Sequence, residues 1–217
     1  MKPLLEIVSR ELLENLRQTG RKKSFSKGRE IFAEGERADF LPVVLSGKIK
    51  MIRFLEAGKE VIIDIFEAGE MFAVPPVFDG EPYPAAAVAM EKTELLLLCR
   101  EDFLRLLRES SEFSFAVIGW MCEMLREKTA VIKTLATASP EHRVGNVLLR
   151  LAEKEKAENE KQVKISLRRQ DIAEMAGLTT ETTIRTVRRL AEKNLVKITR
   201  GKIILDSTGA LQDFLDP

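Results

Sequence analysis

Ten lysines and arginines crowd into residues 164–202: Lys164, Arg168, Arg169, Arg185, Arg188, Arg189, Lys193, Lys197, Arg200 and Lys202. Only Asp171, Glu174, Glu181 and Glu192 oppose them, a surplus of six in a chain whose net charge is +1 at pH 7. A neutral whole that hides a basic segment is the footprint of a phosphate binder. Within the segment, Glu181 and Arg185 stand four apart and share one face of a helix. A glutamate accepts from a cytosine amino group, and an arginine forks onto guanine N7 and O6. Glu181 and Arg185 are therefore candidate base-reading residues. Arg169, Gln170, Thr179, Thr182, Arg188, Arg189 and Lys202 suit phosphate oxygens, contacts that set register and salt dependence.

The elements that must position these side chains are legible around them. Leu167 to Leu178 reads as a helix with Ile172, Ala173 and Ala176 inward, ended by Gly177. Thr179 or Thr180 caps a second helix from Glu181 to Lys193, with Ile184, Val187 and Leu190 inward. Helix, glycine-containing turn, helix is the helix-turn-helix pattern. Leu195–Ile198 and Ile203–Leu205 then flank the basic turn Arg200-Gly201-Lys202, two short strands that make a wing.

Upstream the texture differs. Leu4 to Leu16 has helical spacing, with Leu5, Val8, Leu12, Leu13 and Leu16 apolar. From Phe25 to about Leu98, short β-rich runs alternate with Gly35, Gly47, Gly58, Gly69 and Gly80, the pattern of a small barrel or roll. Residues 101–107 form a short helix, and Ser110 or Ser111 caps a long one that runs to about Thr137. Val117, Met121, Met124, Lys128, Val131 and Leu135 recur at 4, 3, 4, 3, 4, a heptad-like dimer seam apolar except at Lys128. Ile118, Leu125 and Ile132 widen the stripe, enough for one face to pack on the roll and another on a partner helix. At residues 138–141 the helix breaks; Ser139 is a good N-cap and Pro140 suits the first helical position. Residues 153–162 read as a charged connector.

Composition excludes several functions. His142 is the one histidine, set at a helix start, so neither a multi-imidazole metal site nor a Ser-His-Asp hydrolase is expected. Cys99 and Cys122 are too few for a disulfide scaffold or a cluster of thiolates and fit a reducing cytoplasm. Charges interrupt the apolar N-terminal stretch, and no run of 18 apolar residues exists, so neither a signal peptide nor a membrane span is expected. The expected class is a non-enzymatic, cytoplasmic binder of double-stranded DNA.

A glycine-punctuated roll, a long helix and a winged helix-turn-helix together resemble the catabolite activator and fumarate–nitrate regulator (CRP/FNR) family over nearly the whole chain. The resemblance rests on Lys27-Gly28, Phe32, Gly35, Gly47, Gly58 and Gly69-Glu70 in the roll. In the DNA domain it rests on Arg169-Gln170-Asp171-Ile172-Ala173, Gly177 and Glu181-Thr182-Thr183-Ile184-Arg185. The family's reading glutamate and arginine fall on Glu181 and Arg185; a third reader, an arginine in the cyclic-AMP-responsive branch, falls on Thr180. The resemblance implies an α+β chain in three parts. Residues 1–110 are a double-stranded β-helix (jelly-roll-like) sensor domain, 111–138 a dimerisation helix, and 139–217 a winged helix-turn-helix. It implies a homodimeric bacterial transcription factor with RNA polymerase as a further partner and a small-molecule effector of unknown identity.

The effector segment departs from the best-known branch. There a Gly-Glu-Leu run binds ribose and an Arg-Ser/Thr pair grips the cyclic phosphate. Aligned from Gly69, those positions hold Ala73-Val74-Pro75 and Pro84-Ala85. Both the carboxylate and the cation are missing, which leaves a buried cyclic phosphate without its partner. The expected effector is therefore not cyclic AMP, in an apolar pocket lined by Gly69, Phe72, Ala73, Val74, Tyr83, Pro84 and Ala85. The alternatives are a haem or gas sensor of the same family, and an effector-binding module acting through protein partners. A haem would need ligation by Cys99, Cys122, Met71, Met90, Tyr83 or the terminal amine, because residues 1–139 hold no histidine.

Overall fold

The computed structural model describes residues 8–55, 60–137, 139–155 and 162–215. Leu5 of the first predicted helix, Gly58, Ala138 and residues 156–161 of the charged connector lie outside the described residues, as do the side chains at 131 and 135. The chain divides into two compact units, Met1–Glu127 and Lys128–Pro217.

In the first unit, helix α1 spans Arg10–Thr19. Ser9 has extended backbone and its hydroxyl accepts from the amide of Leu12, so the helical spacing read over 4–16 is interrupted at Ser9. Leu12 and Leu16 bury its inner face. Strands β1 (Arg21–Phe25), β2 (Glu30–Phe32), β3 (Phe40–Ser46), β4 (Lys48–Phe54) and β5 (Glu60–Glu67) follow. Next come a short helix α2 (Val74–Asp79) and strands β6 (Ala86–Ala89) and β7 (Thr93–Cys99). They form two antiparallel sheets, ordered β1-β7-β3 and β2-β6-β4-β5. The glycine punctuation is structural: Gly47 turns the β3–β4 hairpin at φ 84°, and a Cβ there would meet the carbonyl oxygen of Lys92 at 2.7 Å.

Helices α3 (Arg100–Glu109) and α4 (Ser111–Thr137) follow the roll. Ser110 caps α4, its hydroxyl accepting from the amide of Phe113. Glu112 in the first turn of α4 accepts from the Ser9 hydroxyl at 3.0 Å, tying α1 to the long helix. Phe103, Leu106, Phe113, Val117 and Trp120 join Leu41, Val43, Leu95 and Leu96 in one core. Burial of each such aliphatic or aromatic side chain is worth roughly 1.5–3 kcal/mol.

The second unit takes in the end of α4 from Lys128 and continues with α5 (Pro140–Glu155). Its start is as the sequence suggests: the Ser139 hydroxyl accepts from the amide of His142, and Pro140 occupies the first helical position. Then come β8 (Val163–Ile165), α6 (Arg169–Ala176), α7 (Thr180–Glu192), β9 (Lys197–Thr199), β10 (Lys202–Leu205) and α8 (Thr208–Leu215). The three strands make one antiparallel sheet in the order β8-β10-β9. Val144, Leu148, Ile172, Val187, Leu190, Ile203 and Leu211 are buried beneath these elements.

Candidate nucleic-acid interface

Caps at both ends of α6 and at the start of α7 set the turn between them. Arg168 is the N-cap of α6, and its amide and guanidinium both donate to the buried carboxylate of Asp171. Gly177 closes α6 in the left-handed region, φ 63°. Thr179 caps α7: its hydroxyl accepts from the amide of Thr182 at 3.2 Å and lies 2.9 Å from the Thr182 hydroxyl. Thr180 and Glu181 then face solvent at the positive end of the α7 dipole, where an anion is favoured.

On that turn Thr180, Glu181 and Arg185 are exposed. The Arg185 guanidinium donates to the Glu181 carboxylate at 2.9 Å, which fixes the fork one turn into the helix. Among the predicted phosphate residues, Gln170, Thr179, Arg188, Arg189 and Lys202 are exposed, and Arg169 and Thr182 are half-buried. Not all of the cations face outward unengaged. The Arg169 guanidinium donates to the carbonyl of Gly201 at 3.4 Å, docking the wing against α6, and burial pulls its pKa down. Arg189 approaches Glu141 at 3.9 Å, and Lys193 pairs with Glu141 and lies over the ring of Phe214. These contacts anchor the C-terminal half of α7 to the start of α5.

The wing is a two-residue hairpin in which Thr199 pairs with Lys202. Both central residues are left-handed, Arg200 at φ 48° and Gly201 at φ 76°. Such a turn favours Asn, Asp or Gly at its first central position, and here an arginine occupies it.

One inward assignment on α7 is corrected. Val187 and Leu190 are buried as expected, but Ile184 is 37 % exposed, while Thr183 and Thr186 are buried in its place. The sequence signal is weak because Thr183 and Ile184 are adjacent and both β-branched. Periodicity alone does not tell which one faces in.

In the first unit, six of the seven residues expected to line an effector pocket are buried, and Pro84 faces solvent. Phe72 and Tyr83 are held in aromatic contacts. The Tyr83 ring stacks on Phe32 at 3.6 Å, and the Phe72 ring stacks on Phe66 at 5.0 Å. The Tyr83 hydroxyl donates to the carbonyl of Phe40 at 2.7 Å, and burial raises its pKa well above the ordinary value. Ala73 sits at φ 58° before α2, the left-handed conformation that glycine takes at low cost. Val74 and Pro84 offer neither a carboxylate nor a cation at the two aligned positions. No group of three or more His, Cys, Asp or Glu side chains able to hold a metal occurs among the described residues.

The long helix sorts its residues between two faces. Val117, expected at a dimer seam, is instead buried in the core of the roll, and Met121 and Met124 pack partly against that core. Lys128 is half-buried. The exposed apolar residues are Phe115 (74 %), Ile118 (56 %), Leu125 (68 %) and Ile132 (67 %). With Cys122 and Thr129, also exposed, they recur at 3, 4, 3, 4, 3.

A capped recognition helix beside a basic wing, combined with a β-roll sensor fold, defines a DNA-binding regulator with an effector-type domain. The comparisons agree. Residues 22–110 match the family described as a cyclic nucleotide-binding domain, and residues 142–214 match the Crp-like helix-turn-helix domain. The chain belongs to the CRP/FNR family of transcription regulators. It is 28 % identical over 192 residues to the cyclic AMP receptor protein of Thermus thermophilus, covering 88 % of this chain and 87 % of that one. It is also 28 % identical over 193 residues to the global nitrogen regulator of Synechocystis, covering 87 % and 86 %. Its fold is shared by FixK2 from Bradyrhizobium japonicum, with TM-score 0.79, 21 % identity, and coverage of 89 % and 96 %. A CooA mutant from Carboxydothermus hydrogenoformans shares it at TM-score 0.81 and 21 % identity, with coverage of 99 % and 96 %. No helix of the described residues is long and apolar enough to cross a membrane.

Proposed function

We propose that the protein is a homodimeric regulator that binds palindromic DNA through the first turn of α7, under control of a small effector in the roll other than cyclic AMP. The observation that carries the DNA-binding part is the open face of α7. Thr180, Glu181 and Arg185 stand exposed on a turn fixed by Thr179 and Gly177. Glu181 and Arg185 read base edges, Thr180 lies beside them, and Arg169, Gln170, Thr179, Thr182, Arg188, Arg189 and Lys202 hold the phosphates.

A two-fold dimer matches palindromic half-sites about one helical turn apart. The exposed stripe of α4 supports dimerisation, since a 27-residue helix with an apolar heptad-like face seeks a partner helix. The working division is 1–110 for the sensor, 111–138 for the dimerisation helix and 139–217 for the DNA-binding domain. Effector binding in the roll shifts the pairing of α4 and so the spacing of the two recognition helices. Val74 and Pro84, standing where a ribose carboxylate and a phosphate cation would be needed, support an effector other than cyclic AMP. RNA polymerase is the further partner that family membership implies, and the cytoplasm is where such a regulator meets its DNA.

The test is selection by the full chain from a random duplex pool, with native mass spectrometry of the freshly purified protein. A palindromic motif and a dimer mass, with any excess mass weighing the effector, are the expected results. Salt-independent binding without sequence preference, or a monomer at micromolar concentration, overturns the corresponding part.

A further inference from the structure

The face of α7 that carries Glu181 and Arg185 also carries an isoleucine. Ile184 is three residues after Glu181 and four before Arg188, and all of Glu181, Ile184, Arg185 and Arg188 are exposed. The helix has inverted the usual sorting around it. Thr183 is fully buried and Thr186 nearly so, while the larger and wholly apolar Ile184 stands 37 % open. The inversion has a cost, because the Thr183 hydroxyl is buried without a hydrogen-bond partner among the described residues. A local rule broken on the same helix, beside groups that stand ready to read bases, marks a functional site rather than a packing choice.

We propose that Ile184 reads the 5-methyl group of a thymine in the major groove. That methyl is the apolar mark of a base pair there, and an aliphatic side chain is its complement. Neither Glu181 nor Arg185 can make that contact. A glutamate accepts from cytosine and an arginine donates to guanine, so both read G·C pairs and leave A·T positions unread. Ile184 lies between them on the helix and, with a larger apolar surface than the single methyl of Thr180, supplies that discrimination at the adjoining position. The inference rests on the DNA-binding reading above.

The experiment uses the full chain and the duplex it selects from the random pool. Each thymine of the half-site is replaced in turn by deoxyuridine, which removes the methyl and nothing else. One thymine per half-site is expected to respond, with a loss of roughly fourfold in affinity, the worth of one buried methyl. Ile184→Ala abolishes that response, Ile184→Val keeps most of it, and Arg185→Ala leaves it in place. Ile184 is 37 % exposed, so Ile184→Ala gives up some packing and its melting temperature should fall by only a few degrees, too little to unfold the variant at the binding temperature. A wild-type protein indifferent to deoxyuridine at every position overturns the proposal, and so does an Ile184→Ala variant with the same loss. Either result leaves DNA binding itself intact. Failure to select any duplex instead overturns the DNA-binding reading, and this inference with it.

Discussion

The guanidinium of Arg185 donates to the carboxylate of Glu181 at 2.9 Å, one turn apart on the open face of α7. Both side chains are largely exposed, and an exposed pair at this spacing adds only about 0.3–0.5 kcal/mol to folding. Stability is thus a weak reason for the pair, whereas a fork held in a fixed orientation is what bidentate reading of guanine needs. Arg185→Ala should cost about 1–3 kcal/mol in binding to the selected duplex and relax preference at one base pair. Competition binding against single-base variants checks it. An equal loss on every sequence makes Arg185 a phosphate contact instead.

The two faces of α4 predict opposite phenotypes. Leu125→Glu places a charge in the exposed stripe, and in a two-fold dimer each substitution counts twice. Losing roughly 3 kcal/mol of apolar burial weakens dimerisation about a hundredfold. Val117→Ala cuts into the core of the roll and lowers folding stability by about 2 kcal/mol, leaving self-association in place. Sedimentation equilibrium and urea unfolding, run on both variants, separate the two. A dimer lost through Val117 and kept through Leu125 reverses the assignment of faces.

These results also show where sequence patterns suffice and where they do not. The turn of the DNA domain was legible because Gly177, Thr179 and the apolar spacing of Ile172, Ala173, Val187 and Leu190 each have a single physical use. The strands of the roll were legible from glycines such as Gly47, where a turn excludes a Cβ. The orientation of α4 was not, because adjacent apolar sets, one through Val117 and Met121 and one through Ile118 and Leu125, differ by about 100° of helix rotation. Only the packing of the roll decides which is covered. Ile184 was placed inward for the same reason, since it adjoins Thr183 and period alone does not tell which of the two faces in. Helix α2, with Pro75 and Pro76 in its first turn, was hidden by prolines that read as loop punctuation.

The wing turn carries a residue that its backbone disfavours. Arg200 at φ 48° opens a turn that prefers asparagine in front of glycine. Arg200→Asn should therefore stabilise the second unit by roughly 1 kcal/mol. It should also weaken DNA binding and lower the salt dependence by about one counterion, as expected for a lost cation at the interface. Thermal melting and a salt titration of binding measure the two effects. A variant both less stable and equally tight on DNA removes the case for strain kept for function.

Tyr83 is the one tyrosine of the chain, so its titration is readable on its own. Desolvation by burial raises its pKa well above the ordinary value, and its hydroxyl donates to the carbonyl of Phe40. Below the ordinary value, near pH 10, the phenol is neutral in both folded and unfolded chains, and its contribution to stability is fully present. Above that pH the unfolded chain releases the proton while the folded chain keeps it. Stability then falls by about 1.4 kcal/mol per pH unit from this group, up to the raised folded value. Tyr83→Phe removes the hydrogen bond and leaves the Phe40 carbonyl short of a donor, a cost of about 1–2 kcal/mol at neutral pH. It also removes the alkaline slope, so the stability difference between wild type and variant should be flat to about pH 10 and narrow above it. Urea unfolding across the alkaline range, with tyrosinate absorbance followed in parallel, reads both quantities. A wild-type phenol that ionises at its ordinary pH in the folded protein means that the Phe32–Tyr83 stack opens to water.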